Sequence, residues 1–251
     1  MKSHHVQLLV SIRHRDEIGP ALRGGCDILD LKDPLNGALG MVDAQTLRSI
    51  SASLHDYDQS VAVPVSMALG ELLEWQEHCS IPFIPAEITY LKMGMSHTAS
   101  QHNWYSHWLD VRKRIEEKNR TAFQWIAVAY ADWKQATAIS PQEVLTAAIE
   151  SQCAGLLIDT YSKQGESLLD LLPLDDLKTL IEQAHSHKLK MALAGSINKE
   201  NMVSLSDILP DIIGIRGAAC FKNQRTNGLQ EQAVRNFRNQ LDRQYAFTRS
   251  G

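Results

Sequence analysis

The sequence has no uninterrupted run of about 18 apolar residues, the length a membrane-spanning helix requires. Its first residues, MKSHHVQLLVSIRHRDE, lack the extended apolar stretch of a secretory leader, so a cytoplasmic protein with no membrane partner is expected. Cysteine is scarce. Cys26, Cys79, Cys153 and Cys220 are widely separated and form no C-x-x-C pair, which argues against a zinc knuckle or a disulfide scaffold and for small buried hydrophobes. Ten histidines contain no H-E-x-x-H arrangement, and no metal is expected. There is no excess of basic charge. With 25 Lys and Arg against 29 Asp and Glu the net charge is -4, unlike the basic surface of most nucleic-acid-binding domains, whereas a few local lysines and arginines are enough to hold an anionic small molecule. Linkers, low-complexity tracts and internal repeats are also missing, so residues 1–251 are read as one domain.

What the sequence does contain is a regular alternation of short apolar runs and longer amphipathic segments. Strands are expected at Val6–Ile12, Ile28–Leu31, Val61–Val65, Glu87–Met93, Trp125–Ala129, Gly155–Asp159, Lys190–Ala194 and Ile212–Ile215. Helices are expected at Asp16–Arg23, Asp43–Leu54, Leu69–Glu77, Trp104–Lys118, Pro141–Ser151, Leu174–His187, Lys199–Leu205 and Glu231–Asp242. Ser140-Pro141 followed by Glu143 is an N-cap with proline at the first helical position, and Gly24-Gly25 is a helix stop. Eight strand-helix units imply right-handed crossovers and a parallel sheet closed into a single α/β (β/α)₈ barrel, the TIM-barrel fold. From about Arg243 onward a mobile or partner-contacting tail is expected. The aromatic helix with Trp104, Tyr105 and Trp108 reads as a packing face or a subunit contact, and exposed tryptophans together with the tail point to a homo-oligomer.

Several apolar runs end in a charged residue, the pattern expected where catalytic groups gather at the C-terminal rim of a barrel. In DILDLKDP, Asp30 and Lys32 are two apart on a short strand and so face the same way. ITYLKMG ends near Lys92, AGLLIDT near Asp159, and Lys163 follows four residues later. A lysine near other cations and partly withdrawn from water loses its proton more readily and attacks carbonyls, which makes Schiff-base chemistry the natural use, with Asp30 and Asp159 transferring protons. The same residues also read as rim salt bridges, an alternative as good as the first for Lys163. ALAGSI and GIRGAAC close strands seven and eight, where barrels often bind phosphate, which makes Gly195, Ser196, Arg216 and Gly217 the candidate cradle. Tyr130 and Asp132 fall near the rim, and Ser66, at the end of strand three, is either a polar wall or a turn cap.

The motifs LLVSIR, GGCDILDLKDPLNGALG, YLKMG, AYAD, LLIDTYSKQGESLLDLL, MALAGSI and PDIIGIRGAAC, in this order from about residue 7 to residue 220, resemble the (5-formylfuran-3-yl)methyl phosphate synthase family of methanofuran and methylofuran biosynthesis. The resemblance implies a lyase that condenses two molecules of the triose phosphate glyceraldehyde 3-phosphate, with loss of phosphate and water and without a cofactor. It places the Schiff-base lysine on Lys32 and further site residues on Asp30, Lys92, Asp159 and Lys163. The chain departs from the family pattern after strand three, at MALGELLEWQEHCSIP, and has Ala129 before Tyr-Ala-Asp. Two other readings use the same rim: a different Schiff-base aldolase or isomerase acting on a sugar phosphate, and a barrel that binds a phosphorylated metabolite without turnover.

Overall fold

A computed structural model describes residues 5–56, 63–75, 80–162 and 165–246. Eight parallel strands close on themselves in sequence order: β1 (Gln7–Ile12), β2 (Ile28–Leu31), β3 (Val65–Glu71), β4 (Ile88–Gly94), β5 (Gln124–Tyr130), β6 (Gly155–Asp159), β7 (Lys190–Leu193) and β8 (Ile212–Ile215). The helices are α1 (Ile18–Arg23), α2 (Ala44–Asp56), α3 (Trp104–Asn119), α4 (Pro141–Glu150), α5 (Leu168–Leu171), α6 (Leu174–Ser186), α7 (Lys199–Leu205) and α8 (Glu231–Ala246). The (β/α)₈ barrel expected from the alternation of elements is the fold observed.

Local chemistry accounts for most boundaries. Ser140 caps α4 through a reciprocal pair, its hydroxyl accepting from the Glu143 N–H and the Glu143 carboxylate from the Ser140 N–H. Helices α3 and α8 each turn one apolar stripe to the barrel, Trp108, Val111 and Ile115 in the first and Val234, Phe237, Leu241 and Tyr245 in the second. Because side chains alternate along a strand, Leu29, Leu31, Met67 and Leu91 point out into this outer core, while Ser11, Asp30, Ser66, Ala68 and Lys92 point into the barrel. Small inward residues, among them Ala68, Ala192 and Gly214, leave room inside for long polar side chains.

The third unit differs from expectation. Pro64 has no N–H to give a central parallel strand, though its carbonyl accepts from Leu29 at 3.1 Å, and β3 runs from Val65 to Glu71, so of the described residues in the strand expected over 61–65 only Val65 belongs to it. Residues 57–62 lie outside the described residues. The helix expected over 69–77 is absent over its described part: Leu69 to Glu71 belong to β3, and only a 3₁₀ turn, Leu72–Glu74, follows. Its helical period is overridden by strand pairing on both sides, with irregular register against β4. Ser66 is accordingly the second residue of β3, not its end.

Two surface expectations also change. Residues 243–246 continue α8, and Tyr245 is buried with its hydroxyl donating to the Leu205 carbonyl at 2.8 Å. The tail expected from residue 243 thus begins no earlier than 247, beyond the described residues. No tryptophan is exposed: Trp75, Trp108 and Trp125 are buried and Trp104 and Trp133 half-buried, so they give no support for assembly. Trp104, Tyr105 and Trp108 form a packing face, and Arg112 lies 5.0 Å over Trp108 and 5.2 Å over Trp125. Cys26, Cys153 and Cys220 are buried free thiols, with Cys26 pushed up to about 12 by burial. Cys79 lies outside the described residues. Among the described residues no helix is long and apolar enough to cross a membrane.

Gly24 tests how tightly the last helix closes on the first. A Cβ there would sit 2.5 Å from the Val234 Cβ and 2.9 Å from the Pro20 carbonyl oxygen. Gly24→Ala is expected to lower the unfolding free energy by about 1–3 kcal/mol. Denaturant melts of the single variants and of Gly24→Ala/Val234→Ala check this, and the double variant should lose less than the sum of the singles.

Candidate active site

At the C-terminal end of the barrel the inner wall carries two lysine-aspartate pairs. Asp30, third in β2, is 1% exposed. It accepts hydrogen bonds from the Lys92 ammonium through Oδ1 and from the Ser11 hydroxyl through Oδ2, the latter at 2.9 Å. Register explains the meeting, since Ser11 pairs with Asp30 across β1 and β2. Lys32 follows β2, with its backbone N–H bonded to the Ile12 carbonyl, and its Nζ lies 3.3 Å from Asp159 Oδ2 across the barrel. The other Asp159 oxygen accepts the Thr160 N–H at 2.8 Å. Residues from β2 or just past it, from β4 and from β6 therefore meet on one cavity of ≈ 810 Å³, Lys32 and Asp159 coming from 127 positions apart.

Burial would raise the Asp30 carboxyl, but the ammonium groups of Lys92 and Lys32, with the hydrogen bonds from Lys92 and Ser11, outweigh it and hold the carboxyl below its ordinary range. Lys92 shifts the other way. Burial, aided by the neighbouring Lys32 charge, pulls its pKa below that of a free lysine against the attraction of Asp30. Lys92 is 2% exposed and Lys32 8%, so Lys32 is the more accessible of the two amines. Lys163 lies outside the described residues.

The loops after β7 and β8 contribute a second wall. Gly195, Ser196 and Gly217 line the cavity, and their N–H groups donate to no protein acceptor among the described residues. Gly195 (φ 102°) and Ser196 (φ 52°) are both left-handed, and a Cβ on Gly195 would lie 2.6 Å from Thr160 Cγ2. Adjacent N–H groups without a protein acceptor among the described residues suit an anion.

Arg216 departs from the expected role of phosphate ligand. All five of its N–H donors are taken: Nη1 by Glu17 (2.6 Å) and the Ser11 carbonyl, Nη2 by Glu17 (2.9 Å) and the Asn227 carbonyl, and Nε by the Arg225 carbonyl. It clamps β8 to the segment after β1 and to the loop at 225–227. The sequence reading missed Glu17, because a clamp between residues 199 positions apart has no local signature. It also missed Ser11, although LLVSIR was noticed, and Arg225, whose loop KNQRTNG reads as an ordinary turn.

Tyr130 and Asp132 serve the frame. Tyr130 is fully buried, donates to Glu71 Oε1 at 2.5 Å and packs edge-on to Tyr161; burial first, then Glu71, raises its pKa well above the usual value. Asp132 accepts the N–H groups of Tyr161 and Ser162 at 2.7 Å each, which braces the chain leaving β6. Ser66 lines the cavity as a polar wall. Among the described residues no three His, Cys, Asp or Glu side chains converge as metal ligands would.

With this geometry in place, comparison with known proteins decides the family. The model of the 4-HFC-P synthase family matches residues 8–238. The chain belongs to this family. It is 33% identical over 224 residues to the (5-formylfuran-3-yl)methyl phosphate synthase of Methanobrevibacter smithii, covering 88% of this chain and 92% of that one. It is 30% identical over 248 residues to the protein of the same name from Methanothermobacter thermautotrophicus, covering 94% and 98%. Among solved structures, 3-hexulose-6-phosphate synthase from Salmonella typhimurium superposes with a TM-score of 0.56 at 12% identity, covering 94% of this chain and 100% of that one, a likeness of fold alone.

The Arg216 clamp carries a prediction on stability. Glu17→Gln should destabilise the barrel by about 3–5 kcal/mol, because a buried guanidinium is left without its counter-charge. Chemical denaturation checks it, and an exposed pair such as Arg23 and Glu231 should cost under about 1 kcal/mol when broken.

Proposed function

We propose that this chain is a (5-formylfuran-3-yl)methyl phosphate synthase, a carbon-oxygen lyase that joins two molecules of glyceraldehyde 3-phosphate through an imine on Lys32. The observation that carries the proposal is the pairing of Lys32 with Asp159 at the cavity edge, beside a second amine, Lys92, that Asp30 holds in place. Membership in the family supplies the reaction class. The balance is two triose phosphates in, and one furan aldehyde phosphate, one inorganic phosphate and two waters out.

In this reading the Lys32 amine attacks the aldehyde carbon of one triose phosphate. The carbonyl oxygen leaves as water and a carbon-nitrogen double bond forms. That imine withdraws electrons from the adjacent carbon, whose proton passes to a carboxylate, with Asp159 at 3.3 Å from Lys32 Nζ the nearest acceptor. The resulting carbon nucleophile adds to the second triose. Hydrolysis returns the water released on imine formation and frees Lys32, and elimination of phosphate and two waters accompanies closure of the aromatic ring. Lys92, held by Asp30, faces developing negative charge as a buried hydrogen-bond donor, which acts more strongly there than in bulk water. Lys163 enters as a further amine on the family resemblance alone. The N–H groups of Gly195, Ser196 and Gly217 hold a retained phosphate, so that binding energy remote from the reacting carbons positions them.

Borohydride reduction in the presence of glyceraldehyde 3-phosphate, followed by peptide mass spectrometry, is expected to fix the triose carbon skeleton to Lys32. In Lys32→Ala the adduct should vanish and turnover fall by at least about 10³-fold. An adduct that persists unchanged in that variant rejects the assignment.

A further inference from the structure

Arg225 is the one described arginine on this cavity with donors to spare. It lies in the loop after β8 and lines the cavity with Gln224 and Thr226. Its Nη2 donates to two carbonyls of the loop that follows Lys32, those of Pro34 (3.3 Å) and Gly37 (3.1 Å). Its Nε is shut off from solvent yet has no hydrogen-bond partner, and Nη1 makes no hydrogen bond among the described residues. Nη1 is therefore the donor that a ligand in the cavity can meet, whereas Nε is closed off.

The backbone of Arg225 is fixed from behind. Its carbonyl accepts from Arg216 Nε at 2.9 Å, and Arg216 is itself anchored on Glu17 and on the Asn227 carbonyl. The saturated arginine thus holds the unsaturated one in position. Burial pulls the Arg225 guanidinium below its usual pKa, with Asp159 the leading opposing influence. A second anion would restore the balance that burial upsets.

We propose that Arg225 is the arginine that binds a phosphate monoester in this cavity, donating from Nη1 to a phosphate oxygen while Nη2 keeps hold of the loop that leads away from Lys32. Guanidinium suits the task because it keeps its charge and can hold the loop with one nitrogen while another makes a charge-assisted hydrogen bond to phosphate. The second grip has a consequence: phosphate and the loop after Lys32 share one side chain, so phosphate binding steadies the chain on which the proposed nucleophile is mounted. The identity of the substrate as a triose phosphate rests on the proposed function; the phosphate site itself does not.

Inorganic phosphate is the probe, titrated into the full-length wild type, Arg225→Gln and Arg225→Lys by calorimetry, with thermal melts run alongside. Wild type should bind phosphate and melt higher in its presence, since a ligand that binds only the folded state stabilises it. Arg225→Gln should bind about tenfold or more weakly and lose most of the melting shift, with Arg225→Lys in between. Phosphate affinity unchanged in Arg225→Gln, or no binding by wild type, overturns the proposal. If Arg225→Gln fails to fold, Arg225→Lys decides: equal affinity to wild type rejects the assignment. The imine trap at Lys32 separates the two readings. An Arg225-dependent phosphate site without a trapped imine leaves this site standing and removes the proposed function, and the converse result does the reverse.

Discussion

The candidate site depends on four charges that have been taken out of water and set against one another inside a barrel: Lys92 against Asp30, and Lys32 against Asp159. Each of these residues is less than a tenth exposed. An ion so placed loses several kcal/mol of hydration, and attraction to a partner offsets this only when geometry and further hydrogen bonds are good. Here the further bonds exist: Ser11 donates to Asp30 and the Thr160 N–H to Asp159. The same pairs also set the chemistry, because they bring the more accessible Lys32 amine and the Asp159 carboxylate within reach of one another on the cavity. Buried pairs of this sort seldom add stability over apolar packing, which makes a functional reason for keeping them the stronger explanation.

A second buried charge pair does purely mechanical work. Glu17 and Arg216 tie the exit of β1 to the exit of β8 and fix the loop at 225–227, closing the barrel where first and last strands meet. Both ends of the cavity wall are therefore set by ion pairs, one pair of residues serving the frame and two serving the site. Between them the left-handed turn at Gly195 and Ser196 brings backbone donors against the end of β6, an approach that a side chain on residue 195 would block. The parts differ in chemistry but converge on one property, an excess of positively polarised groups around a space of small-metabolite size.

How much of this was readable in the linear sequence follows from how local each signal was. The barrel was legible because every strand but the third carries its own apolar run and its own flanking breaks, and the spacing of Asp30 and Lys32 puts both on one face whatever the tertiary context. Lys92 and Asp159 were found by the same strand-end logic. The third unit failed because MALGELLEW has a helical period of its own, and only pairing with β2 and β4 makes Val65–Glu71 a strand. Arg216 lies just past the end of β8 with every donor taken by the protein, and the sequence does not show this because a charge at a strand end looks the same whether it faces a ligand or a buried Glu17. Arg225 left no trace, because an arginine in a turn usually faces solvent, and its burial comes from loops distant in sequence.

The central claim is that the buried charges are kept for chemistry and not for folding. Removing one complete pair at once separates the two, since no unpaired charge is left behind. The decisive measurement is furan formation by Asp30→Leu/Lys92→Met, followed as near-ultraviolet absorbance and released phosphate after addition of glyceraldehyde 3-phosphate. The account predicts a barrel that melts at or above the wild-type temperature and makes no furan. Furan formation at the wild-type rate by that variant would contradict it.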